Sequence, residues 1–214
     1  MDRKRLSAIL SISCLILFSF GLGAQAQSTV SLGFQAGLNL ADASTSPNFG
    51  EISTRMGLMV GGYLEISLSD VFSIQPELFE IQKGAESSVR TESGPSIIKW
   101  NFEYAELPIL VKVKLGLNQV RAFVFAGPNI GIKTQAESEV TLGTRSQTND
   151  IKDQIKSTEI SFDFGIGGEV RIDSTVALTT SIRYSHGLTD INKDTMVSWR
   201  SYGIQVVLGA EFSL

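Results

Sequence analysis

The sequence predicts an all-β chain closed into an eight-stranded antiparallel up-and-down barrel whose strands cross a membrane. Three observations carry that prediction. Apolar and polar residues alternate in eight long stretches, the links between stretches are alternately short and long, and glycine collects on the polar side of the alternation. Alternation places successive side chains on opposite faces of a strand. Stretches of more than ten residues exceed the usual soluble strand and suit a tilted span of ~9 to 11 residues.

The barrel is expected to begin after a leader. Arg3, Lys4 and Arg5 form a basic cluster, Leu6 to Phe20 is mostly apolar, and Ala24-Gln25-Ala26 supplies small residues for cleavage. This pattern predicts a secretory signal over residues 1–26 and a barrel domain over residues 27–214. The apolar core of the leader is shorter than the ~20 residues a spanning helix needs. Cys14 does not mark a lipoprotein cleavage site, because the apolar run Leu15 to Phe20 continues past it.

Without the leader the chain holds 15 basic and 21 acidic residues, a formal charge of −6. That balance gives no case for nucleic-acid binding. Cys14 is the single cysteine, so the mature chain has no disulfide and no thiolate metal site. No stretch after residue 26 approaches 18 consecutive apolar residues. A membrane would have to be crossed by strands.

The first stave, Val30 to Leu40, sets Val30, Leu32, Phe34, Ala36, Leu38 and Leu40 against Ser31, Gly33, Gln35, Gly37 and Asn39. Met56 to Leu68 sets Met56, Leu58, Val60, Leu64, Ile66 and Leu68 against Gly57, Gly61, Tyr63, Glu65 and Ser67. Val71 to Lys83 opposes Phe72, Ile74 and Leu78 to Ser73, Gln75, Glu77 and Lys83. In Ile98 to Leu115, the residues Leu107, Ile109, Val111, Val113 and Leu115 face away from Tyr104, Glu106, Lys112 and Lys114. Val120 to Lys133 is rich in strand formers, but either Phe123 and Phe125 or Val124 and Ala126 could be its apolar set.

Glu159 to Ile172 is clear again, with Ile160, Phe162, Phe164, Ile166, Val170 and Ile172 against Glu159, Ser161, Asp163, Glu169 and Arg171. Thr175 to His186 sets Val176, Leu178, Ile182 and Tyr184 against Thr179, Ser181, Arg183 and Ser185. Arg200 to Leu214 closes the series, with Tyr202, Ile204, Val206, Leu208, Phe212 and Leu214 against Gly203, Gln205, Gly209, Glu211 and Ser213. Eight staves result.

Three links are tight: Ser69-Asp70, Gly116 to Gln119, and Asp173-Ser174. The other four, Ala41 to Arg55, Gly84 to Ile97, Thr134 to Thr158 and Gly187 to Trp199, are long and polar. Because long and short alternate, an antiparallel barrel gathers all long links at one end. Bacterial outer-membrane barrels have that asymmetry, with long outer loops and short periplasmic turns. Both termini are then expected in the periplasm. Ten of the 20 glycines, including Gly33, Gly61, Gly165 and Gly167, fall on polar faces. Water on that face would give no reason for glycine, which weakens a strand. A crowded lumen does, since it must admit Tyr63, Tyr104, Arg171, Arg183 and the lysines.

Several phrases occur together and in order: GFQAGLNLA (33–41), FSIQPELFEIQKGAE (72–86), YAELPILVKVKL (104–115), FVFAGPNIGI (123–132), DFGIGGEVRI (163–172) and IRYSHGLTDI (182–191). Together they make the chain similar to the outer-membrane β-barrel family that includes PorT-like proteins of diderm bacteria. The resemblance covers essentially the whole mature chain and implies an eight-stranded barrel in the outer membrane. It does not fix a function, because fold and activity are separable.

The polar faces carry Glu65, Glu77, Glu106, Lys112, Lys114, Asp163, Glu169, Arg171, Arg183 and Glu211. An eight-stranded barrel is only wide enough for side chains, and an unpaired charge inside it is costly. These ten residues are therefore expected to interlock as a structural network that plugs the lumen. The competing expectation is a narrow porin-like solute channel, and a third is a soluble periplasmic lipid-binding barrel.

His186 is the sole histidine and falls on the apolar parity at a strand margin, which suits an interfacial residue better than a general base. One histidine and no mature cysteine leave no metal site. Gly165 to Gly168 lacks the strand-to-helix setting of a nucleotide loop. Pro76, Pro108 and Pro128 fall within strand patterns and are expected where strands bulge or leave the hydrocarbon layer. Thr134 to Thr158 is expected to be a disordered loop, with a hint of a helical turn at Asp150 to Ile155. No enzyme activity and no cofactor are expected. The expected partners are outer-membrane lipid, the assembly and export machinery during biogenesis, and an envelope or secretion protein met through the loops.

Overall fold

The computed structural model describes residues 29–46, 52–91, 94–116, 119–142, 145–194 and 198–214. The expected leader, residues 1–26, lies outside the described residues. The strands are β1 (Val30–Ser46), β2 (Ile52–Ser67), β3 (Phe72–Thr91), β4 (Gly94–Leu115), β5 (Val120–Leu142), β6 (Arg145–Asp150), β7 (Thr158–Arg171), β8 (Val176–Gly187) and β9 (Ser198–Ser213). A short 3₁₀ turn, Lys152–Gln154, follows β6.

All pairings are antiparallel between neighbours, and β1 pairs with β9 from Ser31↔Ser213 to Ser46↔Ser198, which closes the ring. Eight strands make the barrel. The ninth, β6, is a satellite: the lower half of β5 (Val120–Ile132) pairs with β7, while its upper half (Glu137–Leu142) pairs with β6.

The alternation oriented the staves. Phe34, Leu58, Ile166 and Leu208 are exposed on the outside at 57%, 61%, 62% and 66%, whereas Gln35, Glu65, Asp163 and Gln205 are buried inside. The face of β5 left open by its sequence is settled by its neighbours. Phe123 and Phe125 point inward, because Gly167 and Gly165 stand directly across on β7 and leave space for the two rings.

The tight links are hairpin turns. Ser69 Oγ accepts from the N–H groups of Val71 and Phe72 at 3.3 and 3.0 Å. The Asp173 carboxylate accepts from the N–H groups of Thr175 and Val176 at 2.7 and 2.8 Å. Gly116, at φ +119°, supplies the left-handed backbone at the β4–β5 turn.

The long links differ from the expectation. Among the described residues three of them are largely strand, with β3 and β4 paired up to Thr91↔Gly94 and β5 and β6 from Glu137↔Asp150 to Leu142↔Arg145, whereas residues 188–194 of the fourth are irregular. The described residues of Thr134 to Thr158, which leave out 143–144, thus form paired strand and a 3₁₀ turn rather than the disordered loop expected. Beyond the hydrocarbon a strand no longer needs an apolar outer face, so polar composition did not reveal these extensions. Together β3, β4, β5 and β6 build a wall on one side that continues past the last β5–β7 pair, Ile132↔Thr158. Pro76, Pro108 and Pro128 also fall elsewhere than expected. They lie between lipid-facing residues in mid-strand; the β3–β4 ladder lapses between Pro76↔Ile109 and Phe79↔Glu106, and the β4–β5 ladder between Pro108↔Asn129 and Val111↔Ala126. Proline has no N–H to give a ladder.

Candidate functional site: the lumen and its outer cap

Inward-facing polar side chains from all eight strands of the barrel meet in one continuous ladder. At the turn end, the Glu169 carboxylate receives Arg121 at 2.6 Å, Lys114 at 3.3 Å and Arg171 at 3.6 Å. Lys114 also pairs with Glu65, which in turn holds Lys112 at 2.6 Å. Lys112 donates to Gln75 Oε1 at 3.1 Å, and Gln75 donates to Glu77 at 2.7 Å. Glu77 further accepts from Gln35 at 2.9 Å and from Arg183 at 2.8 Å.

Arg183 continues to Asp163 at 3.6 Å. Asn129 then bridges, donating to Asp163 at 3.2 Å and to Glu106 at 2.6 Å. Lys83 completes the upper rung between Glu106 at 2.5 Å and Glu159 at 3.1 Å, and Ser201 donates to Glu159. Tyr63 donates to Glu211 at 3.3 Å near the lower end.

Nine of the ten charged residues expected in the lumen are buried there: Glu65, Glu77, Glu106, Lys112, Lys114, Asp163, Glu169, Arg183 and Glu211. The tenth, Arg171, sits at the rim with its side chain 42% exposed and reaches Glu169 from outside. Lys83 and Glu159 belong to the ladder although they stand outside that set of ten. Both sit on polar faces in the sequence, but only the closure of the barrel brings β3 and β7 within reach across the lumen.

Apolar side chains fill what the charges leave. Tyr63 lies across from Gly33, Phe79 from Gly61, Phe125 from Gly165 and Phe123 from Gly167, and a Cβ at any of these glycines would collide with the facing ring or its backbone. The rings then cushion cations: Lys112 Nζ lies 4.1 Å from the Phe123 centroid, and the Arg183 guanidinium lies 5.3 Å from Phe125 and 5.6 Å from Phe79. Two voids described in the lumen measure about 10 and about 20 Å³, each with room for about one water molecule.

An apolar cap lies over the lumen at the end opposite the short turns. Ile151 and Ile155 come from the segment after β6, Ile191 from the segment between β8 and β9, and Trp199 from the start of β9, and they pack with Phe79, Ile81, Phe102 and Tyr104. Trp199 meets Trp100 and Phe102 edge to face at 5.3 and 5.4 Å. The two segments are tied together: Lys156 N–H donates to Ile191 O at 2.7 Å, and Lys193 N–H donates to Gln154 O at 3.0 Å. Lys133 Nζ donates to the carbonyls of Lys152 and Ile155, each at 2.6 Å. Sequence reasoning missed this cap, because its isoleucines are isolated in polar links; the spacing of four between Ile151 and Ile155, on either side of a short turn, was the one available signal.

His186 lies on the outer surface and stacks on Tyr184 at 6.2 Å. Its cross-strand neighbours are Phe162 and Tyr202. Rings that are amphipathic in this way suit a membrane interface. Among the described residues, no group of three His, Cys, Asp or Glu side chains is placed to hold a metal ion.

A closed antiparallel ring with an apolar outer belt, a polar packed interior and short turns at one end defines an outer-membrane type of barrel. The chain belongs to the family described as outer membrane protein beta-barrel domain, whose model matches residues 24–193. That membership places it in the outer membrane. Its fold is similar to a major outer membrane protein from Thermus thermophilus, at 12% identity and TM-score 0.50, covering 86% of this chain and 99% of that one. It is also similar to OprG from Pseudomonas aeruginosa (12% identity, TM-score 0.48, 90% and 98% covered) and to Neisserial surface protein A (14% identity, TM-score 0.48, 86% and 97% covered). No curated protein matches the sequence.

Proposed function

We propose that this protein is a non-catalytic structural and interaction component of the outer membrane, with a plugged lumen, periplasmic termini and an outer end that meets an envelope or secretion partner. The observation that carries the reading is the unbroken ladder from Arg171 to Ser201, beside which two described voids are each only about water-sized. Burying so many charges is stable only if each is paired and hydrogen-bonded. Such an interior serves the barrel's own integrity, and binding is left to the outer hairpins.

Two further supports come from the chain itself. The wall of β3 to β6 exposes ordered polar surface, as recognition elements on a rigid scaffold do. The phrases at 72–86, 104–115 and 123–132 resemble the family that includes PorT-like proteins, which supports a place in the outer membrane without fixing the partner.

The test has two arms. Purified protein in planar bilayers should give no large steady single-channel current, and sustained currents would replace this reading with the narrow-channel one. In cells, the protein should fractionate with the outer membrane and shift on a gel between unheated and boiled samples. A tag placed after Leu214 should stay hidden from external protease, whereas one inserted at Gly143 should be cut.

A further inference from the structure

We propose that the free edge of β6 is a docking site for an extended, cationic segment of an extracellular partner protein, which adds there as the next strand of the wall. The inference rests on the reading of the outer end as the interaction surface and names how that surface binds.

The backbone defines the edge. Ile151 N–H donates to Ala136 O at 3.0 Å, and in an antiparallel pair the residues that face the partner alternate. Along the register Glu137↔Asp150 to Leu142↔Arg145, Asn149, Gln147 and Arg145 therefore bond to β5. The N–H and C=O groups of Ser146, Thr148 and Asp150 point the other way. Among the described residues no strand pairs with that side, and all six residues of β6 are exposed.

Natural sheet edges are usually blunted with lysine, proline, a bulge or a cover. The sequence RSQTND has no lysine and no proline, and its pairing with β5 runs without a bulge. An open edge of this kind templates strand addition, in which main-chain bonds give affinity and alternate side chains give specificity.

The neighbouring face selects the occupant by charge. Residues directly opposite in a ladder share a face, so Asp150 and Thr148 lie beside Glu137 and Glu139, and these beside Asn101 and Lys99. Glu103 and Glu86 lie on the same face. Among the described side chains of this face five carboxylates thus stand against one lysine, and Lys99 is only 4.0 Å from Glu86. An added strand whose residues opposite Ser146, Thr148 and Asp150 are lysine or arginine places every second side chain over this acidic surface. An acidic or neutral segment gains only the backbone bonds.

The test uses the full chain in lipid nanodiscs and a fluorescent, end-blocked eight-residue peptide of alternating lysine and threonine. We expect it to bind at least tenfold more tightly than a peptide alternating glutamate and threonine. It should also bind tenfold more tightly than the same lysines and threonines arranged in two blocks. Thr148→Pro removes an N–H from the open edge without removing a β5 bond, and should weaken binding tenfold or more. Glu137→Gln combined with Glu139→Gln should weaken it at least threefold and flatten its salt dependence, a change of charge that leaves the ladder untouched. Equal binding of the two lysine peptides, or unaltered binding by Thr148→Pro, would show diffuse electrostatics and overturn the proposal. Failure of the wild type to bind, in a sample that still shows heat modifiability and no conductance, would overturn the edge site while leaving the plugged-barrel reading intact. Association of nanodiscs through β6 without peptide would overturn it in favour of a second copy.

Discussion

The lower and upper halves of β3, β4 and β5 follow opposite rules of burial. In the lower half Ile74, Ile109 and Val124 face outward while Gln75, Lys112 and the charged ladder are inside. In the upper half Glu86, Glu103, Glu137 and Glu139 lie on the outer face, while Phe102, Ala136 and the cap isoleucines are buried. The inversion falls near Glu80, Glu103 and Lys133. What changes there is the solvent: hydrocarbon below and water above. The strands run on through this boundary, with one register shift in the β4–β5 ladder between Glu103 and Tyr104, so inside and outside are defined by what surrounds a face, and the same strands serve a membrane protein below and a water-soluble sheet above.

The sharpest way to break this contrast is at the centre of the lower half. Arg183→Ala leaves Glu77 and Asp163 buried without their shared cation and should cost about 3 to 5 kcal/mol. The loss should appear as a lower unfolding temperature in detergent by heat-modifiability gels. Glu106→Ala should act in the same direction, with a smaller loss, by leaving Lys83 only Glu159 and Asn129 only Asp163, and neither variant should open a conductance in planar bilayers.

The upper half should fail by the ordinary rule for an apolar core. Trp199→Ala removes a large ring packed on Trp100 and Phe102, a class of change that costs about 3 kcal/mol. The damage should stay local: amide exchange in residues 188–194 should rise well before the barrel melts. A global loss equal to that of Arg183→Ala would show that the cap and the ladder form one cooperative unit.

Gly33→Ala probes the join between backbone and lumen packing. Its Cβ would meet the Tyr63 ring, so the ring must leave the site above Glu211, at a cost of about 1 to 3 kcal/mol. Pairing it with Tyr63→Ala in a double-mutant cycle should recover part of the loss.

The smallest effect belongs to the turn end. The N–H groups of Thr175 and Val176 hold the Asp173 carboxyl below the usual carboxylate range. A depressed value in the folded state means that the contribution is present above the unfolded value and is lost as pH falls through the folded one. Amide exchange at Thr175 and Val176, corrected for intrinsic rates, should accelerate across that acid window. Asp173→Ala should abolish the dependence while leaving the barrel's melting unchanged.

Legibility in the sequence follows the same division. In the lower half each residue's face was readable, because hydrocarbon enforces strict alternation, and Glu65, Glu77, Lys112 and Arg183 were placed inside from their parity alone. The upper half was read as loop, since water on the outer face permits polar residues at every position and leaves no period to detect. Phe123 and Phe125 show the remaining gap: an aromatic and a β-branched residue both suit lipid, and the choice depends on glycines some forty residues further along the chain.

By itself, then, the sequence determined the number of staves, the direction each faces, which ends carry the turns and which charges lie within. Those are local properties, set by period and by turn chemistry. Tertiary structure alone decided that Lys83 joins Glu106 to Glu159, that Ile151, Ile155, Ile191 and Trp199 close the mouth, and that β6 ends the wall with an open edge. Each of these depends on distances between strands far apart in the chain, which exist only once the ring has closed.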